Sequence, residues 1–104
     1  MLYQYKDTLV YKYEKPLCLL IAGKEIITYP DFTIMHRLNG KLFYWEHAGL
    51  MGDPHYAGEF VRKMNIYVQN DLVPGKDVIV TYESSETPLA VSMVRRMIQS
   101  ILAA

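Results

Sequence analysis

The chain has a single cysteine, a single tryptophan and no excess of either charge. One cysteine cannot close an internal disulfide, which excludes a scaffold held by cystines. Cys18 lies inside the apolar run Leu17–Ile21 and reads as a small buried hydrophobe in a reducing compartment. Eleven Lys and Arg against eleven Asp and Glu leave a formal charge of zero. That balance argues against a free-standing nucleic-acid binder, whose phosphate affinity normally comes from Lys and Arg. No run reaches the ~18 apolar residues of a membrane span, and no signal-peptide pattern opens the sequence, so a cytoplasmic protein with no membrane partner is expected. There is no glycine-rich phosphate loop and no Cys/His set at zinc spacing. Ser84, Ser85 and Ser92 lack the strand–turn–helix context of a hydrolase nucleophile. Repeats, linkers and low-complexity stretches are also missing.

What remains is the composition of an ordinary globular chain, about half apolar, of a length that fits one domain over 1–104. Leu9–Tyr13 and Leu17–Ile21 are β-rich runs flanking Glu14-Lys15-Pro16, read as one strand entering another or one strand bent at the proline. Glu25–Met35 and Lys41–His47 are rich in β-branched and aromatic residues, with Leu38-Asn39-Gly40 between them. Asn-Gly in that setting predicts a two-residue hairpin. Asp53-Pro54 has the form of a helix cap followed by proline, and Tyr56, Phe60, Met64 and Tyr67 recur at helical spacing to about Asn70. Pro74-Gly75 is a turn, Val78–Tyr82 a short buried strand, and Thr87-Pro88 opens a last helix with Val94, Met97, Ile98, Ile101 and Leu102 inward. A buried strand after a helix implies an α/β fold with a mixed sheet covered on both faces.

The hairpin leads to a site. A two-residue turn at Asn39-Gly40 sets Thr33 opposite Glu46 and makes Asp31 and Glu46 a diagonal cross-strand pair on one face, about 7–8 Å apart between backbones. Two carboxylates so placed can lean onto one divalent cation. Glu46 also ends a strand, Leu42–Trp45, that is apolar on both faces. Burial there without a partner costs several kcal/mol, roughly, and a bound cation compensates it. The alternative is a strand-end carboxylate pointing into water.

Tyr29-Pro30-Asp31, a hairpin, then Tyr44-Trp45-Glu46-His47 resembles the core of the PD-(D/E)xK, or restriction-endonuclease-like, nuclease superfamily. The blocks YEKPL at Tyr13–Leu17, YPDFTI at Tyr29–Ile34 and YWEHAG at Tyr44–Gly49, with the following helix, are similar to a bacterial and phage branch of that fold, over roughly Tyr11 to Glu83. The resemblance implies a restriction-endonuclease-like mixed sheet with helices on both faces. It implies phosphodiester hydrolysis with Mg²⁺ or Mn²⁺ bound by Asp31 and Glu46, on a nucleic-acid substrate, DNA first. The backbone carbonyl of His47 is the further ligand it suggests.

The family's lysine two residues beyond the glutamate is here Ala48. Lys63, on the helix side of Tyr56 and Tyr67, is the replacement the resemblance suggests, since some members carry a relocated lysine on this helix. Lys63 and Tyr67 also stand like the Gln and Tyr of the recombination-exonuclease branch. Arg62 is expected to face water. A lysine snorkelling past Tyr67 explains Lys63 equally well. Glu14 is the candidate auxiliary acid, or else an exposed strand-end charge. Asp53 and His55 are better read as a helix cap and a surface histidine, and Glu83 as either near the site or solvated. The short stretch before Tyr11 leaves little room for the helix that usually opens this fold. It points to a trimmed domain or one part of a larger protein, dimer or assembly, in which a partner supplies the grip on DNA. Two rivals follow: a catalytically silent module that kept the fold, and a structural subunit that pairs through the tyrosines at 3, 5, 11 and 13.

Overall fold

The structure, a computed structural model, describes residues 2–104. A short 3-10 turn over Leu2–Tyr5 leads into six strands and two helices. They are β1 (Leu9–Tyr13), β2 (Leu17–Ile21), β3 (Lys24–Thr28), β4 (Phe32–His36), β5 (Leu42–Ala48), α1 (Pro54–Gln69), β6 (Val78–Tyr82) and α2 (Val91–Leu102). Four strands form a mixed sheet in the order β1-β4-β5-β6, antiparallel except for the parallel pair β5 and β6. A parallel neighbour requires a long crossover, and α1 supplies it. Strands β2 and β3 form a separate antiparallel hairpin.

The first two β-rich runs therefore belong to different sheets. Glu14 adopts a left-handed φ of 48° and Pro16 has no amide to donate, so the chain leaves β1 and crosses to the hairpin. The long run Glu25–Met35 likewise divides into β3 and β4 around Tyr29-Pro30-Asp31, with Pro30 fully buried. The tight two-residue turn falls at Ala22-Gly23, where φ is 49° and 79°, as a type I′ hairpin needs. At Asn39-Gly40 only Gly40 is left-handed. Asn39 instead accepts from the Lys41 amide through its side chain (2.9 Å), and the amide of Gly40 donates to the carbonyl of His36 (2.8 Å), giving a four-residue loop over 37–40.

That longer loop moves the register by two residues from the expected one. Phe32 pairs with Trp45 and Thr33 with Tyr44, so Thr33 is not opposite Glu46. Two is an even number, and side chains alternate with period two, so every residue keeps its face. Phe43, Trp45, Ile79 and Ile34 face α2 and pack with Leu9, Ile98 and Ile101 into the main core. The other face carries Val78 and Val80 beneath α1 and the β2–β3 hairpin, with Tyr67, Leu19, Leu17 and Met64. Both faces of the sheet are covered.

Asp53 caps α1, its Oδ1 accepting from the amides of His55 (2.9 Å) and Tyr56 (3.2 Å) ahead of Pro54. At the far end the Asn70 side chain bonds both backbone groups of Leu20, at 2.8 and 2.9 Å, and so staples the hairpin to the helix. The hairpin's alternation turns Leu17, Leu19 and Ile26 inward and leaves Cys18 exposed, opposite Ile27, contrary to the expected burial. Helix α2 begins at Val91, three residues beyond Pro88. Glu83 Oε2 holds the Leu89 amide (2.9 Å), and this tether keeps the approach extended. No helix of the described residues is long and apolar enough to cross a membrane.

Candidate active site

Asp31 closes the Tyr29-Pro30-Asp31 link just before β4, and Glu46 lies on β5. The pairing of Phe32 with Trp45 sets them directly across from each other one step further along, rather than diagonally. Their backbones and side chains interlock. The Asp31 amide donates to Glu46 Oε1 (3.1 Å), and the His47 amide donates to Asp31 Oδ2 (2.6 Å). The two carboxylates thus converge on the α1 side of the sheet. The other oxygen of Asp31 accepts no hydrogen bond among the described residues.

Lys63 comes to the same place from α1, its ammonium in contact with Glu46 Oε2. Glu46 is almost wholly buried whereas the lysine side chain is one-third exposed. Burial pushes the Glu46 carboxyl above its ordinary value, with the Asp31 charge adding to the effect, while the Lys63 ammonium works against it. Tyr67, one turn further on, is fully buried and its hydroxyl has no hydrogen-bond partner among the described residues. Burial raises this phenol strongly, and the nearby Glu46, Asp31 and Tyr44 reinforce the shift. An orphaned hydroxyl beside two carboxylates is a costly arrangement that a bound water or ligand would relieve.

Asp31, Glu46 and Lys63 wall a cleft of about 440 Å³, with Tyr56, Glu59 and Arg62 of α1 and Thr28 of β3, whereas Tyr67, expected on the cleft side, is buried and does not line it. Arg62 is mostly exposed, as expected, but it also lines the cleft, with Glu59 at 3.9 Å. Glu59 went unnoticed in the sequence, although it precedes Lys63 by four residues and so shares its helix face. Glu14 does not line the cleft. Its side chain is exposed beside Tyr13, whose phenol it pushes upward, and only its backbone amide reaches Asp31, at 3.2 Å to the carbonyl.

His47 presents its side chain to the opposite face, as alternation requires. Its Nδ1 meets Thr81 Oγ1 at 2.9 Å and its Nε2 meets Glu83 Oε1 at 2.8 Å. Trp45 Nε1 donates to the same threonine oxygen (3.0 Å). With neutral His47 the contacts are satisfied when Thr81 donates to Nδ1 and Nε2–H donates to Glu83. Glu83 is therefore neither free in solvent nor in the cleft. Bonds from Leu89 and His47 hold its carboxyl below the usual range. The amide of His47 donates to Asp31, which leaves its carbonyl, the group the resemblance assigns to the metal, out of that bond.

The donor set discriminates among metals. Among the described residues no three His, Cys, Asp or Glu side chains come together. A zinc site of three or four protein ligands does not fit. Asp31 and Glu46 supply two carboxylates of the kind a hard cation that keeps several of its own waters, such as Mg²⁺, would take, with the Asp31 amide and the Lys63 ammonium already on the two Glu46 oxygens. Comparison of the chain with protein-family models, with curated proteins and with solved structures gave no match in any of the three.

Proposed function

We propose that the chain is a metal-dependent phosphodiester hydrolase of restriction-endonuclease-like architecture, acting on nucleic acid. The observation that carries this reading is the meeting of Asp31 from the link before β4, Glu46 from β5 and Lys63 from α1 at the wall of one cleft. Asp31 and Glu46 would hold Mg²⁺ or Mn²⁺, which when bound polarises a scissile phosphate and acidifies a water. The rest belongs to the chain. The amide of His47 fixes the Asp31 carboxylate, and the amide of Asp31 fixes Glu46, so both acids are oriented before any ligand arrives. Lys63, one-third exposed at the cleft wall, offers the positive charge that Ala48 cannot. Arg62 at the rim offers a second charge for the substrate backbone. The neutral net charge fits a protein whose grip on nucleic acid comes partly from a dimer or partner.

A specific observation favours one rival. The Lys63 ammonium already neutralises Glu46, so the site is self-consistent with no metal at all, as a catalytically silent module would be. The deciding assay is cleavage of labelled single- and double-stranded DNA and RNA in Mn²⁺ by wild type, Glu46→Gln and Arg62→Met. Hydrolysis is expected from the wild type, none from Glu46→Gln, and a weakened substrate affinity from Arg62→Met. Mn²⁺ binding by a wild type that cuts no substrate supports the silent module.

A further inference from the structure

The face of the sheet opposite the cleft carries an aromatic row. In the strand register Tyr13 of β1 pairs with Phe32 of β4, and Phe32 with Trp45 of β5. Three rings on three adjacent strands thus lie side by side on the α2 face. Tyr13 and Phe32 are 5.5 Å apart between centroids and tilted by 56°. The row is graded in exposure, from Trp45 at 6% to Tyr13 at 67%. A core needs no large aromatic that open to water, and strand β1 is an edge with nothing beyond it in the sheet.

These rings wall a pocket of about 370 Å³ whose polar members are Asp31, His47 and Thr81. It falls within the size range of about 300–1,000 Å³ for small-ligand sites. Asp31 lies in the wall of this pocket and also in that of the α1 cleft. His47 also lines both cavities, so the two lie on opposite faces at the same end of the sheet, on either side of Asp31 and His47. In a nucleotide only the sugar separates a phosphate from its base. A phosphate seated at Asp31 in the cleft is thus within reach of having its own base, or the next, in the aromatic pocket.

We propose that this pocket binds an unpaired nucleobase, stacked on Tyr13 and Phe32 at the open end of the row, and that the substrate is single-stranded or frayed at this point. The direction of the strand rests on the hydrolytic reading above, while the pocket itself does not. Every base has a π-face, so stacking on aromatic side chains captures a strand with little regard to sequence. A duplex keeps its bases stacked on one another and cannot offer one without unpairing it. Aromatic capture also supplies affinity that does not depend on Lys and Arg, which suits a chain with no net charge.

Trp45 is the chain's only tryptophan and stands in the pocket wall, so its fluorescence reports occupancy directly. The experiment titrates the full chain, with chelator present, with adenosine monophosphate, with ribose 5-phosphate, and with a dodecamer as a single strand and as a duplex. Quenching is expected from the nucleotide and the single strand, and none from the baseless sugar phosphate. Tyr13→Ala should weaken binding roughly 5- to 150-fold, the loss of one base stack, whereas Tyr13→Phe should retain it. Running the single strand as DNA and as RNA identifies the source, the tighter of the two being the ligand. Equal quenching by ribose 5-phosphate, duplex binding as tight as the single strand, or an unaltered Tyr13→Ala would overturn the proposal. Base binding without cleavage would then refute only the hydrolytic reading, and cleavage without base binding only the pocket.

Discussion

The Lys63 ammonium on α1 lies against the buried carboxylate of Glu46 on the central strand β5, and no charge nearer in sequence neutralises that acid. The pair joins helix to sheet and neutralises Glu46, the one buried acidic side chain among the described residues. It also means that Lys63 has both a structural and a chemical duty. Replacing it tests them separately.

Lys63→Met leaves Glu46 buried and unpaired. The cost is expected to be about 1–3 kcal/mol, less than for a fully buried pair because the lysine is partly solvated. Chemical denaturation should show the loss, and acidification should diminish it as Glu46 takes up a proton. The same variant should lower nuclease turnover roughly 100- to 1000-fold, the usual loss of a charge aimed at a transition state. Turnover equal to wild type would exclude Lys63 from the chemistry.

The raised Glu46 carboxyl fixes a sign for stability against pH. The folded state holds this proton more tightly than the unfolded chain, whose carboxyl stays near 4.5. Stability from this group is therefore present below 4.5 and lost as pH rises through the folded value. Glu83, held down by Leu89 and His47, acts in the opposite sense, and its stabilisation disappears as pH falls below the ordinary value. The two slopes occupy different windows. Denaturation of Glu46→Gln, followed from strongly acid pH, below the ordinary carboxylate range, up to neutral, should lack the upper slope and keep the lower one.

Ala22 carries a strain that is easily relieved. Its φ of 49° is a conformation that costs an L-residue with a Cβ roughly 1–2 kcal/mol. Ala22→Asn places Asn-Gly in the type I′ turn, the pair that turn prefers. The variant should be more stable by about 1 kcal/mol, a rise of about 4–8 °C in Tm for a domain of this size. An unchanged or lower Tm would mean that the β2–β3 turn is not of this type.

The hairpin at Asn39-Gly40 and the convergence of Asp31 and Glu46 were legible in the sequence even though the length of the turn was not. Their common face depends only on the parity of the register, and the longer loop shifted it by two. The cap and span of α1 were legible because Asp53, Pro54 and the helical spacing of Tyr56, Phe60, Met64 and Tyr67 all act locally. The β2–β3 turn was hidden because Ala22 pays a steric cost there, and no local preference announces it. The exposure of Cys18 depends on which face of the hairpin meets α1, a tertiary fact. The His47–Glu83 bond joins residues 36 apart and becomes visible only once β5 and β6 are paired. Of the site residues, Glu14 was matched by sequence block alone, and its left-handed backbone carries the side chain away from the cleft.

The most direct test of the account is a calorimetric titration of Mn²⁺ into the wild type and into Asp31→Asn. The two carboxylates that interlock at the end of the sheet are expected to bind one ion per chain in the wild type. Asp31→Asn should remain folded, since an amide oxygen can still accept from His47, yet lose that binding and the accompanying rise in Tm. Equal Mn²⁺ binding by both proteins, or none by the wild type, would contradict the assignment of Asp31 and Glu46 as a metal site.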